Sequence, residues 1–362
     1  MKNILLAMSG GTDSSVSAIL LQEAGYQLEG ITFKMWEDYQ LPSCDEKEQG
    51  CCNADTMLEA RELARKLNFP HTIIDIRESF DKYVVQDFID EYLKGRTPNP
   101  CVVCNTHIKW GVLLDEMEKR GHTRFATGHY ARIRRADNRY ILQRGVDLKK
   151  DQSYFLWTLT QNQLSHTLFP LGNLTKDKAR EIAREYGFER IAEKRESQEI
   201  CFIPDNDYRR FLRDAVPDID EQVGEGWFVD KQGKKLGRHK GYPFYTIGQR
   251  KGLNIALGYP AYVLSINPAK NTIKLGRYED LEKTELRLDN SNWIKYELPP
   301  DGLDVDIKIR YNTPAMPGRI FRDGEQWKAV LSRPLHAVTP GQSAVMYEGD
   351  DVVGGGIIAR SR

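Results

Sequence analysis

The chain has 362 residues, 40% hydrophobic and 29% charged, and its 52 basic and 52 acidic side chains cancel to a net charge of zero. That length exceeds one ordinary core, so two or three domains are expected. The charge balance excludes a polyanion-binding surface over the whole molecule but leaves room for a local patch. No run of about 18 apolar residues occurs, so no membrane-spanning helix is expected. Met1-Lys2-Asn3 runs straight into an apolar stretch, with the features of neither a signal peptide nor a transit peptide. The expected compartment is the cytoplasm.

The first half alternates strand and helix. A strand over 4–8 leads through a Gly-rich turn into a helix over about 14–24, which Gly25 stops. A strand over 28–36 follows, then a helix over 56–67 with Leu58, Leu63, Ala64 and Leu67 roughly on one face. Next come a strand over 72–76, helices over 80–93 and 108–119, and a strand over 125–130. This order predicts an α/β domain with a parallel sheet covered by helices. A hairpin over 131–144 around Asp137-Asn138, a helix over 176–186 capped by Thr175 and a short helix over 205–214 come after it. From about residue 225 short β-rich runs take over, at 261–266, 272–275, 305–311, 327–331 and 343–347. They predict a small β-rich central domain and a C-terminal antiparallel β-barrel. The expected divisions are 1–204, 205–282 and 283–362.

Met8-Ser9-Gly10-Gly11-Thr12-Asp13-Ser14 lies between the first strand and the first helix. An open parallel sheet binds ligands at such a place, outside the carboxyl end of a strand. Gly10 and Gly11 lack Cβ atoms, so their backbone can approach phosphate oxygens, and the helix N-terminus supplies amides and partial positive charge. Ser9, Ser14 and Ser15 can add hydroxyl donors. Asp13 is unsuited to touching phosphate but could hold Mg2+ that bridges phosphates. The loop is neither G-x-x-x-x-G-K-[ST] nor G-x-G-x-x-G. A tight βα turn that happens to be Gly-rich is the alternative. Ser-Gly-Gly-x-Asp-Ser resembles the pyrophosphate loop of the ATP pyrophosphatases, which implies cleavage of ATP between its α and β phosphates.

Six cysteines occur: Cys44, Cys51, Cys52, Cys101, Cys104 and Cys201. In a large cytosolic protein they read as metal-binding or catalytic, not as a disulfide framework. Cys101-Val102-Val103-Cys104 follows Thr97-Pro98-Asn99-Pro100, whose prolines make the approach rigid and extended. A helix expected to begin at about Cys104 would stabilise its thiolate. Cys101, Cys104 and Cys201 could instead supply three thiolates to an iron–sulfur cluster. Cys44, Cys51 and Cys52 lack paired zinc-site spacing. They read as incidental thiols of a polar loop over 37–53, with a zinc site or a persulfide relay as alternatives.

Three more segments complete a set: Ala126-Thr127-Gly128-His129-Tyr130-Ala131, the run from Lys150-Asp151-Gln152 to Leu156, and Ile200-Cys201-Phe202-Ile203. Taken in order with the two loops above, they resemble the tRNA-specific 2-thiouridylases over nearly the whole chain. The resemblance implies an ATP-dependent tRNA-uridine 2-sulfurtransferase that acts on the wobble uridine of the anticodon stem-loop. It implies ATP and Mg2+, and a sulfur-donor protein such as a cysteine desulfurase or a sulfur carrier. It puts Ala7, Met8, Ser9, Gly10, Gly11, Thr12, Asp13, Ser14, Phe33 and Gly128 at the ATP. Phe33 could stack on the adenine or be an ordinary core ring. Asn99, Pro100 and Cys101 would lie beside the target base. His129, Lys150, Asp151, Gln152, Arg310, Tyr311 and Gln342 would contact tRNA. Cys201 would receive sulfur as a persulfide. Cys104 would attack that persulfide, free the sulfur and end in a disulfide with Cys201, with residues 194–198 in a segment that reorganises. Some members carry Asp where this chain has Cys101, and a thiol cannot replace a carboxylate in kind.

Residues 231–251 hold Lys231, Lys234, Lys235, Arg238, Lys240, Arg250 and Lys251 with no acid, interleaved with His239, Tyr242, Phe244 and Tyr245. Basic groups beside stacking rings suit RNA backbone and unpaired bases; a solvated hairpin face is the plainer reading. Two rivals stand against thiolation. An ATP pyrophosphatase that adds nitrogen would need ammonia or a glutaminase domain, not a cysteine pair. A non-catalytic RNA-binding protein would hold zinc at its C-x-x-C.

Overall fold

The computed structural model describes residues 3–35, 54–194 and 200–360. Cys44, Cys51, Cys52 and residues 195–199 therefore lie outside the described residues. The chain divides into two compact units. One comprises Met1–Val84, Cys101–Asn206 and Asp350–Val352; the other comprises Val85–Pro100, Asp207–Gly349 and Val353–Arg362.

The described residues of the first unit include the strands β1 (Asn3–Ala7), β2 (Gln27–Lys34), β3 (His71–Asp75), β4 (Arg124–Ala126), β5 (Ala131–Ala136), β6 (Arg139–Arg144) and β7 (Thr167–Leu168). Five form a sheet in the order β3-β2-β1-β4-β7, and every pairing in it is parallel. The interior of β1 is buried without alternation, as expected where helices cover both faces of a sheet. From β1 the chain crosses to β2 and β3 on one side, then returns to β4 and β7 on the other. The order thus reverses between β1 and β4, which makes a crevice at the carboxyl ends of those two strands. β5 and β6 are the expected hairpin, turned at Asp137 with φ 49°.

Four helices matter to the crevice: α1 (Thr12–Glu23), α2 (Ala54–Lys66), α3 (Trp110–Lys119) and α4 (Lys176–Glu185). Thr175 caps α4, its Oγ1 accepting from the Lys178 amide at 3.3 Å. Ile4, Leu6, Val16, Ile19, Leu63, Ala183 and Tyr130 share one buried core. Each large apolar side chain there contributes roughly 1.5–3 kcal/mol by leaving water. Two expectations are corrected. The chain is helical from Pro100–Val103 through a wide turn at Cys104–Lys109 into α3, so the helix starts well before residue 108. β4 stops at Ala126, because Gly128 already abuts the first turn of α1 and extended pairing cannot continue.

The second unit opens its β part with β8 (Gly226–Val229), β9 (Lys235–His239), β10 (Tyr262–Asn267) and β11 (Thr272–Gly276), a sheet ordered β10-β11-β8-β9. β12 (Glu282–Trp293), β13 (Leu303–Lys308), β14 (Met316–Asp323), β15 (Gln326–His336), β16 (Ser343–Glu348) and β17 (Asp351–Ile358) follow. They form a closed six-stranded antiparallel barrel, because β12 pairs with both β15 and β17. Closure removes the open edges that invite aggregation. Leu286, Ile307, Ile320, Ala329, Met346 and Val353 fill its interior. The strand expected over 305–311 ends at Lys308. Helix α5 (Tyr208–Ala215) is capped by Asp207, whose Oδ1 accepts from the amides of Arg209 and Arg210 at 3.1 Å. No described helix is long and apolar enough to cross a membrane.

Candidate active site

The loop between β1 and α1 needs its first glycine. Gly10 has φ +68°, and a Cβ there would lie 2.1 Å from the Thr56 carbonyl oxygen. Gly11, with φ −93°, precedes α1. Ser14 Oγ accepts from the Ser9 amide at 3.2 Å and donates to Gly11 O at 3.1 Å, while Ser15 Oγ donates to Gly11 O at 2.9 Å. The hydroxyls of Ser14 and Ser15 are thus committed to the loop itself, and Ser9 is the exposed one of the three. Thr12 is buried and donates to Ile191 O at 2.6 Å. Ala7 is half-buried and Met8 buried. On the far side of the crevice, a Cβ on Gly128 would sit 2.9 Å from Asp13 C and 3.0 Å from the Ser14 amide nitrogen. Gly128 therefore lets the segment after β4 pack directly on the opening of α1.

Asp13 is held from two sides. Its Oδ1 accepts from the Tyr130 hydroxyl and from Lys176 Nζ, each at 2.8 Å. Lys194 Nζ donates to Gly10 O at 3.2 Å and pairs with Glu59. Lys176 and Lys194, the latter opening the segment expected to reorganise, lie 163 and 184 residues from their loop partners, and no local pattern links such positions. The crevice offers close backbone approach, a helix N-terminus and two nearby ammonium groups, features that suit an anionic ligand. Asp13 already carries one of those ammonium groups, and among the described residues no three His, Cys, Asp or Glu side chains gather as a metal-ion site.

Phe33 is a core ring, 7% exposed. His129 is buried against Trp110 and Phe169, and its Nδ1 lies 2.9 Å from Thr127 Oγ1. Burial, helped by the Lys109 charge, holds its pKa well below the ordinary histidine value. It is a packed neutral ring. Asp151 is buried and accepts from the amides of Gly145 and Ser153 at 3.1 Å and from Ser153 Oγ at 2.9 Å. Gln152 Oε1 accepts from the Tyr130 amide at 3.0 Å. Both shape the turn beside the crevice. Lys150 is half-buried.

Cys101 is exposed, Cys104 buried and Cys201 half-buried. Cys104 sits in the second turn of its helical run, and burial pushes its pKa up to about 11, with the Cys101 charge adding and Lys109 opposing. The expected thiolate stabilisation at a helix start is therefore not realised here. Phe202, next to Cys201, meets Phe80 edge to face at 5.7 Å. The helical residues Arg77–Phe80 also contact the Cys104–Lys109 turn. The two cysteine segments thus share Phe80's helix as a neighbour. Among the described residues Cys101, Cys104 and Cys201 are not gathered as a metal-ion site. Asn105 Nδ2 donates to Phe155 O at 3.0 Å and ties the cysteine helix to the segment after Gln152.

In the second unit, Gln342 Nε2 donates to Pro98 O at 2.7 Å and to Thr97 O at 3.2 Å. It fixes the loop that carries Asn99 and Pro100. Arg310 Nη2 donates to Ala337 O at 2.8 Å and Thr339 Oγ1 at 2.6 Å. Thr97, Tyr208, Arg209, Lys251, Arg310 and Gln342 line a groove of about 690 Å³. The Tyr311 ring lies 5.3 Å from Lys308 Nζ. The basic run over 231–251 is corrected in its aromatic half. His239, Phe244 and Tyr245 are buried, and the Tyr242 hydroxyl donates to Leu93 O at 2.6 Å. Lys235 and Arg238 stack on Trp227 instead, 4.2 and 3.9 Å from its ring centre.

Three family models match in order along the chain: the tRNA methyl transferase HUP domain over residues 2–205, the tRNA methyl transferase PRC-barrel domain over 210–277 and the aminomethyltransferase beta-barrel domain over 283–358. Among curated relatives, the tRNA-specific 2-thiouridylase MnmA of Amoebophilus asiaticus is 52% identical over 99% of this chain and 95% of its own length. That of Cytophaga hutchinsonii is 48% identical over 99% and 97%. That of Clostridioides difficile is 46% identical over 99% of both chains. With such similarity from end to end, the chain belongs to the tRNA-specific 2-thiouridylase family.

Proposed function

We propose that this chain is a tRNA-uridine 2-sulfurtransferase that thiolates the wobble uridine and releases AMP and pyrophosphate. ATP lies in the crevice between β1 and β4, its phosphates over Met8–Ser14. The uracil O2 attacks the α-phosphate, pyrophosphate leaves, and C2 now carries AMP as a good leaving group. The donors of the loop and helix start stabilise charge on the transferring phosphoryl group. Magnesium would arrive with the phosphates and supply countercharge there. The base leaves its stack to expose C2. Cys201 carries sulfur as a persulfide, Cys104 attacks its inner sulfur, and the freed outer sulfur displaces AMP. The two thiols finish as a disulfide. A cytoplasmic sulfur-donor protein would load Cys201. Residues 205–282 and 283–362 would hold the anticodon stem-loop, with the Thr97–Pro100 loop beside the target base.

The observation that carries the reading is the pair of glycines at the switch point. Gly10 and Gly128 each admit no Cβ, one against Thr56 and one against the start of α1. That closeness suits phosphate approach at a strand end where such sheets bind nucleotides. The test is mass spectrometry of tRNA nucleosides after incubation with ATP, Mg2+ and a persulfide source, with AMP and pyrophosphate measured alongside. Thiouridine should appear with one AMP per sulfur. Cys104→Ser and Cys201→Ser should each abolish thiolation while tRNA adenylation persists. Normal thiolation by Cys201→Ser with a protein donor would refute the sulfur route.

A further inference from the structure

Cys101 has no place in the sulfur route above, yet it lies one helical turn before Cys104. Pro100 opens the helical run, Cys101 follows it, and Cys104 begins the wide turn Cys104–Lys109. Residues three apart share a helix face, with Cβ atoms about 5–6 Å apart. A disulfide needs about 3.5–4.5 Å, so a shift of roughly 1–2 Å closes the pair. The charge of Cys101 is felt at Cys104. The division of exposure matters as well: Cys101 is open to solvent and Cys104 is buried. A disulfide between Cys104 and Cys201 would have its Cys104 sulfur shielded from an external reductant, whereas one that includes Cys101 would be reachable.

We propose that Cys101 and Cys104 form an exchangeable dithiol, in which Cys101 resolves the Cys104–Cys201 disulfide left by each turnover; this rests on the sulfur route proposed above. The Cys101 thiolate attacks the Cys104 sulfur. The Cys101–Cys104 bond forms, the Cys104–Cys201 bond breaks, and the electron pair leaves on Cys201, which takes up the proton that Cys101 gave away. Cys201 is then ready for a new persulfide. A dithiol reductant reduces the exposed Cys101–Cys104 disulfide by two electrons and is itself oxidised to a disulfide.

The experiment uses the full chain. After a single turnover without reductant, non-reducing peptide mapping should find the Cys101–Cys104 linkage in the wild type. In Cys101→Ser it should find Cys104–Cys201, counted per mole of thiolated product. From the preformed Cys104–Cys201 disulfide, release of the Cys201 thiol by a dithiol should be about tenfold slower in Cys101→Ser. Equal release rates, or only Cys104–Cys201 in the wild type, would overturn the proposal. A titration in glutathione buffers, with neither RNA nor ATP, separates the two readings. Formation of Cys101–Cys104 with Cys201 free supports the dithiol, and its failure to form overturns it. Absence of thiouridine in the turnover arm counts against the sulfur route instead.

Discussion

Lys176 Nζ and Asp13 Oδ1 lie 2.8 Å apart, so the opening residue of α4 is tied to the first turn of α1. Lys176 has only 6% of its side chain exposed, whereas Asp13 has 34%. The bond is therefore charge-assisted and shielded on the lysine side. The Tyr130 hydroxyl reaches the same oxygen, which makes Asp13 the joint of three segments around the crevice.

Asp13→Asn keeps the shape of that joint and removes its charge. It should cost about 1.5–3 kcal/mol of stability, against about 0.5–1.5 kcal/mol for Tyr130→Phe. The double variant should lose less than the sum, because both changes act on one network. Urea denaturation of the four proteins measures this. Strict additivity would mean that the two bonds act independently.

Gly10 and Gly11 allow folding to be separated from the phosphate binding proposed above. A Cβ on Gly10 meets the Thr56 backbone, but on Gly11 it meets only Ser9 Oγ at 3.5 Å, an ordinary contact. Gly11→Ala should cost less than about 1 kcal/mol yet raise the KM for ATP about tenfold, because its Cβ would stand where phosphate comes closest. Gly10→Ala should lose both, with about 1–3 kcal/mol from strain alone. An unchanged KM in a stable Gly11→Ala would make the loop a mere turn.

The reach of the sequence follows from what is local in it. β-α alternation, the glycine turn, the Thr175 cap and the hairpin at Asp137 are each written within a few residues, and each appears in the fold. The helix start at Pro100 is not legible locally, because that proline reads equally as the end of an extended loop and as the first residue of a helix. The rings of His239, Phe244 and Tyr245 interleave with basic residues in sequence, and that pattern is the same whether a ring faces the core or water. Lys176, Lys194 and the bond from Gln342 to Pro98 depend on how distant segments pack. One sequence carries no record of that packing.

His129 makes stability depend on pH. Its pKa is depressed in the fold by burial, while in the unfolded chain it returns to about 6.5. Above that value both states are neutral and nothing is lost. As pH falls below it, the unfolded chain binds a proton that the folded chain refuses, so stability declines by up to about 1.4 kcal/mol per pH unit. Asp87 in the other unit runs opposite: burial raises its pKa to about 6, so its contribution grows as pH falls through that value. His129→Gln removes the loss on acidification and keeps the Asp87 gain, so its urea midpoint should shift upward relative to the wild type's as pH falls from 7 to 5. Parallel curves would show that His129 takes up its proton when folded.

Lys251 and Arg310 line the same groove but should behave differently toward RNA. Lys251 is exposed, whereas Arg310 holds the Ala337 carbonyl and Thr339 in place. If the groove tracks a phosphodiester backbone, Lys251→Ala removes one phosphate contact and leaves the barrel intact. The slope of log K against log salt should then fall by about 0.7–0.9, and affinity should drop alike for cognate and unrelated tRNA. Arg310→Ala should reduce affinity and also lower the melting temperature, since two hydrogen bonds of the barrel go with it. Titrations of labelled tRNA at several salt concentrations read the slopes directly. An unchanged slope in Lys251→Ala would move the RNA path away from this groove.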